Sequence, residues 1–174
     1  EEVMKFLHDG FSILDMCTGS GCILLSLLKY SNNCKGLGAD ISSDALLVAN
    51  TNKEKLGIEA SFIESNLFEQ VTGKYDIIVS NPPYIRSDVI PTLMEEVREH
   101  EPILALDGTE DGLFFYRRIV EESPDYLNGG GMLFFEIGYD QAEDVSRLME
   151  EAGYKDVTVV KDFAGLDRVV YGRR

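Results

Sequence analysis

The 174-residue chain has no tryptophan, only two histidines and only three cysteines. The cysteines form no CxxC pair, and His8 and His100 lie far apart in the sequence, so neither a zinc site nor a disulfide framework is predicted. This cysteine usage fits a reducing, cytoplasmic compartment. No apolar run approaches the roughly 18 residues of a membrane span, and no signal peptide is recognisable at the start. Metal-bound, disulfide-stapled and membrane-inserted classes are therefore disfavoured.

Basic residues are also scarce: 16 lysines and arginines stand against 31 aspartates and glutamates, a net charge of −15. Such a chain repels phosphate backbones, so we expect no direct binding to nucleic acid. Hydrophobic residues make up 44% and charged residues 27%, as in an ordinary globular protein. The length and composition predict a single domain over residues 1–174.

Strand-like and helix-like patterns alternate along the chain, which predicts an α/β fold with a mostly parallel, seven-stranded sheet. No helix pattern separates the last two strands, so they are expected to form an antiparallel hairpin. Ser43 is the expected N-cap of the second helix, Gly57 its end, and glycines 129–131 a turn. The predicted strands are residues 12–16, 35–40, 60–64, 75–80, 132–136, 157–160 and 168–171. The predicted helices are residues 21–29, 43–56, 113–126 and 141–152. The long connection over residues 85–113 is expected to be a functional loop.

A glycine-containing motif, Asp-Met-Cys-Thr-Gly-Ser-Gly, follows the first predicted strand and opens the first helix. Glycines there let a ligand approach the backbone and the free N–H groups of the helix start. The dinucleotide fingerprint would need a glycine where Leu24 stands, which argues against an NAD oxidoreductase. Asp40 closes the second strand, where a carboxylate can accept ribose hydroxyls. Together these features favour an adenosine-containing ligand; a plain glycine turn with a surface aspartate is the alternative.

The second motif, Asn81-Pro82-Pro83-Tyr84, directly follows the fourth strand. Two prolines stiffen the chain and remove two N–H donors, so carbonyl oxygens are left to accept. Asn81 adds an amide oxygen, and Tyr84 adds a flat aromatic face. This set can hold a planar –NH2 group with its nitrogen aimed at an electrophile, as methyl transfer requires. The alternative is a rigid proline turn with Asn81 as a cap.

The two motifs resemble those of class I S-adenosylmethionine-dependent methyltransferases with a Rossmann-like fold. Further segments, in order along the chain, resemble the HemK/PrmC family of release-factor glutamine methyltransferases. These segments are Gly38-Ala39-Asp40-Ile41-Ser42, Ser65-Asn66-Leu67-Phe68, Glu101-Pro102, Ala105-Leu106-Asp107-Gly108, Asp111-Gly112-Leu113 and Asp162-Phe163-Ala164-Gly165-Leu166-Asp167-Arg168. The resemblance covers essentially the whole chain.

The resemblance implies methylation, from S-adenosylmethionine, of the glutamine side-chain nitrogen in the Gly-Gly-Gln motif of class I peptide chain release factors. The implied cofactor-binding residues are Cys17, Thr18, Gly19, Ser20, Gly21, Asp40, Asn66, Leu67 and Asn81. The implied substrate-binding residues are Asn81, Pro82, Pro83 and Tyr84, and the implied catalytic residues are Asn81, Pro82 and Tyr84. The reaction is direct displacement, for which no metal, nucleophilic side chain or strong general base is expected.

The sequence departs from the family at three positions. Cys17 and Thr109 stand where the family usually has glycine, and Asn66 stands where it usually has an acid. The family's N-terminal helical domain is also missing from this sequence, so we expect a catalytic domain alone.

Two other functions stay open. One is an exocyclic amino-methyltransferase of rRNA or DNA that uses the same Asn-Pro-Pro-Tyr pocket, and the other is a cofactor-binding fragment without activity. The stretch from Asn81 to Pro102 has two arginines and five acids, a net charge of −3. That charge suits a protein substrate better than a polyanion.

Overall fold

The computed structural model describes residues 1–174 except for the side chain of Glu99. The described strands are β1 (Ser12–Met16), β2 (Lys35–Asp40), β3 (Ser61–Glu64), β4 (Tyr75–Ser80), β5 (Leu127–Glu136), β6 (Lys155–Lys161) and β7 (Asp167–Arg173). The described α-helices are α1 (Cys22–Lys29), α2 (Ser43–Leu56), α3 (Glu95–His100), α4 (Ile103–Leu106), α5 (Phe114–Glu122) and α6 (Ala142–Glu151). No helix among the described residues is long and apolar enough to cross a membrane.

The strands form one sheet in the order β3-β2-β1-β4-β5-β7-β6. The pairs β1–β2, β1–β4 and β2–β3 are parallel, and the C-terminal strands are antiparallel. The predicted fold class, a mostly parallel seven-stranded sheet with an antiparallel C-terminal end, is therefore confirmed. The order reverses direction between β1 and β4, and ligands of such sheets bind at the carboxyl ends of the strands at that point.

By its internal contacts the chain divides into two compact units. The first comprises Glu1–Asn81, Glu122–Phe134 and Arg173–Arg174, and the second comprises Pro82–Glu121 and Phe135–Gly172. The core of the first unit contains Ile13 and Leu14 of β1 and Ile77 and Ile78 of β4, all fully buried. In the second unit the rings of Tyr116 and Phe135 meet edge to face at 5.1 Å.

Three local predictions were wrong. Ser42, not Ser43, is the N-cap of α2, because its hydroxyl accepts the N–H of Ala45, the third residue of the helix. The sequence pattern places Ala45, Leu46, Ala49 and Leu56 on one side of that helix, but Leu56 is 49% exposed in the last turn. Glycines 129–131 lie inside β5, since Gly130 and Gly131 form backbone hydrogen bonds with the chain end at Arg174.

The connection over residues 85–113 is more ordered than a long loop. It contains a 3-10 turn (Ile90–Thr92), α3 and α4, and Ile85 pairs with Asp107 in a parallel bridge. The predicted helix over 113–126 ends earlier, because Pro124 follows α5 and the chain continues as a 3-10 turn.

Candidate active site

The register of the sheet brings four groups of predicted cofactor residues to one edge of the first unit. Met16 pairs with Ala39 on one side and with Ser80 on the other, and Asp40 pairs with Glu64. The residues that follow these pairs therefore lie together at the carboxyl ends of β1, β2, β3 and β4. They are Cys17 to Gly21, Asp40 itself, Asn66 with Leu67, and Asn81.

Asp15 is a buried carboxylate at the base of the glycine loop (residues 15–21), with 1% of its surface exposed. Its Oδ2 accepts the hydroxyl of Thr18 at 2.6 Å and the N–H of Leu24, in α1, at 3.2 Å. The carboxylate thus ties the loop to the start of the helix. The other oxygen, Oδ1, is buried and has no partner among the described residues.

Burial raises the pKa of Asp15 to about 7. The nearby charge of Asp40 pushes the pKa in the same direction, and the hydrogen bonds from Thr18 and Leu24 oppose it. A buried polar atom without a partner costs free energy, so Oδ1 is an atom that a bound N–H donor would stabilise. The sequence motif contains Asp15, but the prediction did not include it in the site.

The two glycines of the loop differ in their surroundings. Gly21 caps α1 with φ +75°, and a Cβ there would come within 2.9 Å of the Phe62 ring. Packing within the protein therefore requires this glycine. A Cβ on Gly19 would meet nothing within 4 Å, so the open side of the loop, where a ligand has room, is at Gly19.

Asp40 braces the loop from the end of β2. Its Oδ2 accepts the N–H of Gly19 at 2.8 Å, and its Oδ1 accepts the N–H of Ser42 at 2.9 Å. A carboxylate has about four acceptor positions, so lone pairs remain for ribose hydroxyls. Asp40 therefore has a structural role in the loop, and its binding of a ribose stays a prediction.

Cys17 adopts the left-handed conformation with φ +58°. Burial raises the pKa of its thiol to about 12, and the charges of Asp40 and Asp15 add to this rise. The thiol therefore stays protonated at neutral pH, which makes Cys17 a poor nucleophile.

Asn66 and Leu67 follow β3 and differ in exposure. The exposed Asn66 amide donates one of its two N–H groups to Glu69 Oε1 at 2.8 Å, so its oxygen and its second N–H are uncommitted. Leu67 has φ +51° and a buried side chain. Its carbonyl accepts the Ser65 hydroxyl at 2.6 Å. A contact from Leu67 to a ligand at this edge would come from its backbone.

Asn81 is the last residue of the first unit, and its side chain is exposed. Its amide forms no hydrogen bond with any described residue. The preceding residue, Ser80, is buried and donates its hydroxyl to the Met16 carbonyl at 2.7 Å, which fixes the end of β4 against β1. The strand is thus held firmly up to the point at which the uncommitted amide begins.

The second unit begins with Pro82, Pro83 and Tyr84, which we term the acceptor segment. Directly after it, the Ile85 N–H donates to the Leu106 carbonyl at 2.9 Å, and the Ile85 carbonyl accepts the Gly108 N–H at 2.8 Å. The Ala-Leu-Asp-Gly motif is therefore the backbone partner of the chain that leaves the acceptor segment.

Tyr84 is half-buried, and its side chain lies near two charges of the second unit. Burial raises its pKa and Glu136 raises it further, whereas Arg168, which hydrogen-bonds the Tyr84 side chain, lowers it. Arg168 also donates to the Ile137 carbonyl at 3.2 Å and to Asp162 Oδ2 at 3.3 Å. Arg168, the last residue of the C-terminal Ala-Gly-Leu-Asp-Arg motif, thus contacts Tyr84, which the sequence of the motif does not predict.

Comparisons with known proteins agree with the motifs. A family model described as "Methyltransferase small domain" matches residues 3–165. The curated "Release factor glutamine methyltransferase" of Agrobacterium fabrum is 48% identical over 164 residues, which are 93% of this chain and 57% of the relative. The protein of the same name from Clostridium acetobutylicum is 44% identical over 181 residues, covering 100% of this chain and 64% of the relative. The chain thus spans about six tenths of the length of these relatives.

A solved structure gives the same result for the fold. The protein-(glutamine-N5) methyltransferase (release factor-specific) of Alicyclobacillus acidocaldarius superimposes with a TM-score of 0.59 at 28% identity, covering 99% of this chain and 87% of that one. These relatives confirm the resemblance predicted from the motifs. With its matched residues, its strand order and its site at the carboxyl ends of the strands, the chain belongs to the methyltransferase small domain family.

Proposed function

We propose that this chain transfers a methyl group from S-adenosylmethionine to the side-chain amide nitrogen of the glutamine in the Gly-Gly-Gln motif of class I peptide chain release factors. The observation that carries the proposal is the exposed, uncommitted amide of Asn81. It follows a rigidly held strand end and precedes two prolines. The names of relatives at 48% and 44% identity support the same substrate.

The glycine loop fits the proposed cofactor. It has open space at Gly19, an unpartnered buried oxygen on Asp15 and spare lone pairs on Asp40. In our proposal the loop from Cys17 to Gly21 surrounds the methionine part, and Asp40 accepts the ribose hydroxyls. Asn66 and the Leu67 backbone border the adenine. When bound, S-adenosylmethionine supplies an activated methyl group on a sulfonium and leaves as S-adenosylhomocysteine.

The residues after β4 hold the accepting nitrogen. The Asn81 side-chain oxygen and the Pro82 carbonyl accept the two hydrogens of the glutamine –NH2 group, and Tyr84 and Pro83 pack against its side chain. An amide nitrogen is a weak nucleophile because its lone pair is delocalised, so catalysis here is mainly orientation. The nitrogen loses its proton late, to water, and no strong base is needed.

The proposed partner is a protein, and the charge of the second unit favours this choice. Glu95, Glu96 and Glu101, in and next to α3, are exposed, as expected for a solvated acidic helix. An acidic surface repels RNA and tolerates a polypeptide of opposite or mixed charge. The proposed setting is the cytoplasm, where release factors act.

The test is a transfer assay with S-adenosylmethionine labelled in its methyl group. The acceptors are a release factor, the same factor with its Gly-Gly-Gln glutamine replaced by asparagine, and a pool of tRNA and rRNA. We expect label only on the intact release factor. Label on RNA alone would replace the proposed substrate with an exocyclic base amine, and cofactor binding without transfer to either would leave an inert binding fragment.

The matched variants are Asn81→Ala and Asn32→Ala, both exposed asparagines. Because orientation supplies most of the rate, Asn81→Ala is expected to lower transfer by at least about 100-fold. Asn32→Ala is expected to leave it unchanged. A near-normal rate in the Asn81→Ala protein would refute the mechanism.

A further inference from the structure

Gln141 is a buried side chain outside both sequence motifs, and it joins three backbone segments of the second unit. Its Nε2 donates to the carbonyl of Tyr84 at 3.1 Å and to the carbonyl of Gly112 at 3.2 Å. Its Oε1 accepts the N–H of Gly138 at 3.0 Å. Both N–H donors of the Gln141 side chain are therefore used, one on the acceptor segment at Tyr84 and one on Gly112.

The backbone packs tightly around the same point. Gly112 has φ +73°, and a Cβ on it would collide with the Tyr84 carbonyl oxygen and lie 2.8 Å from Gln141 Nε2. A Cβ on Gly108 would lie 2.7 Å from the Tyr84 Cα. The backbone of Gly108 and Gly112 thus packs directly against the backbone of Tyr84. The side chain of Gln141 supplies the hydrogen-bond donors for the Tyr84 and Gly112 carbonyls.

The hydrogen bonds leave two of the three carbonyls of the acceptor segment, those of Pro82 and Pro83, without a donor from the described residues. The Tyr84 carbonyl is engaged by Gln141, whereas the Pro82 carbonyl receives no donor from the described residues. Loss of Gln141 would remove the donor from the part-buried Tyr84 carbonyl and from the buried Gly112 carbonyl, and the segment would shift to satisfy them.

We propose that Gln141 is a positioning residue for methyl transfer: it fixes the backbone of the acceptor segment so that the Pro82 carbonyl faces the glutamine –NH2 group. This inference rests on the proposed function, in which that carbonyl binds the acceptor. Gln141 acts through Tyr84 and Gly112 and does not contact the reacting atoms.

The most direct test is Gln141→Glu. The substitution keeps the volume and the acceptor for Gly138, but it turns an oxygen toward two carbonyl oxygens. A displacement of about 1 Å costs about 100-fold in an oriented reaction, so we expect kcat for the release factor to fall by about 10- to 100-fold. The Kd for S-adenosylmethionine should stay within about 2-fold, because the predicted cofactor residues belong to the first unit.

Asn128→Ala is the matched control. Asn128 donates to Asp76 Oδ1 at 2.7 Å within the first unit, so its loss also removes a half-buried hydrogen bond. We expect a lower melting temperature for this variant with kcat unchanged. If Gln141→Glu lowers kcat and cofactor affinity together, in proportion to its loss of stability, or if Asn128→Ala lowers kcat as much at the same loss of stability, then Gln141 is only structural and the proposal fails.

Amide hydrogen exchange gives a second readout that needs no activity. The Ile85 and Gly108 amides are expected to exchange at least about 10-fold faster in Gln141→Glu, with the amides of β1 unchanged. Unchanged exchange at Ile85 and Gly108 would overturn the positioning role. A wild-type protein that methylates no release factor would refute the proposed function. The hydrogen-exchange measurement would still test whether Gln141 fixes the acceptor segment.

Discussion

The glycine loop of the first unit and the acceptor segment of the second unit are held by different kinds of groups. Two carboxylates hold the loop: Asp15 accepts from Thr18 and Leu24, and Asp40 accepts from Gly19. Backbone pairs, closely packed glycines and the neutral amide of Gln141 hold the acceptor segment. The stability that the loop contributes should therefore depend on pH. The geometry of the acceptor segment should instead depend on the size of the side chains packed against it.

The largest expected effect is the pH dependence that Asp15 gives to stability. Its pKa is about 7 in the folded chain against an ordinary value of 3.8, so the folded state binds more protons between these two values. Stability from this group is therefore fully present below about pH 4 and is lost as the pH rises through about 7. The difference corresponds to about 4 kcal/mol.

Urea unfolding at several pH values between 4 and 8, for wild type and Asp15→Asn, measures this contribution. An asparagine oxygen can still accept from Thr18 and Leu24, so the variant should fold. Because asparagine does not titrate, the free energy of unfolding of the variant should fall much less as the pH rises. The carboxyls whose pKa is lowered, such as Asp76 and Asp162, act below this window. If both proteins decline equally with pH, Asp15 does not carry the effect.

The next effect is the sensitivity of the acceptor segment to added volume. In Gly112→Ala the new Cβ would meet the Tyr84 carbonyl, a backbone atom that cannot turn aside, at a positive φ. We expect methyl transfer to fall by about 100-fold, with cofactor affinity unchanged and a loss of stability that does not vary with pH.

Gly73→Ala is the control for Gly112→Ala. Gly73 has φ +86°, but a Cβ on it would meet nothing within 4 Å. It should therefore cost only the conformational penalty, on the order of 1 kcal/mol, and leave transfer intact. Equal losses of activity in the two variants would mean that strain, not contact with Tyr84, is responsible.

Much of the candidate site could be predicted from the sequence, because each of its motifs is a short stretch of neighbouring residues. A glycine motif after an apolar strand, an acid at the end of the next strand and Asn-Pro-Pro-Tyr after the fourth each combine a motif with a strand end. Parallel register then brings the strand ends together, as Met16 beside Ala39 and Ser80 shows.

The support of the acceptor segment could not be predicted in the same way. Gln141 lies 57 residues from Tyr84, and Arg168 lies in a motif that marks the family without revealing its contact. Asp15 stood inside a recognised motif, yet its unpartnered oxygen depends on burial that no spacing reveals. Such contacts follow from tertiary packing, whereas spacing in a single sequence shows only neighbours along the chain.

The smallest expected effects concern Cys17 and Thr109, where the resemblance leads us to expect glycine. Both residues are left-handed, with φ +58° at Cys17 in the glycine loop and φ +73° at Thr109 beside the acceptor segment. That conformation costs a side chain about 1–2 kcal/mol, and a β-branched residue is an outlier there. The usual glycine thus has a conformational reason in each region.

Replacing each residue with glycine should therefore change the stability of the chain by different amounts in the two regions. Thr109→Gly should stabilise the chain by about 1 kcal/mol, because relief of strain exceeds the added entropy of the unfolded glycine. Cys17→Gly should be nearly neutral, since it also removes a half-buried thiol. Urea unfolding measures both, with Thr109→Ala and Cys17→Ala as controls that keep the left-handed strain. If Thr109→Ala stabilises the chain as much as Thr109→Gly, the backbone is not strained at this position, and the family's glycine there must answer a need for space beside Ser87, whose N–H donates to the Thr109 carbonyl at 3.0 Å.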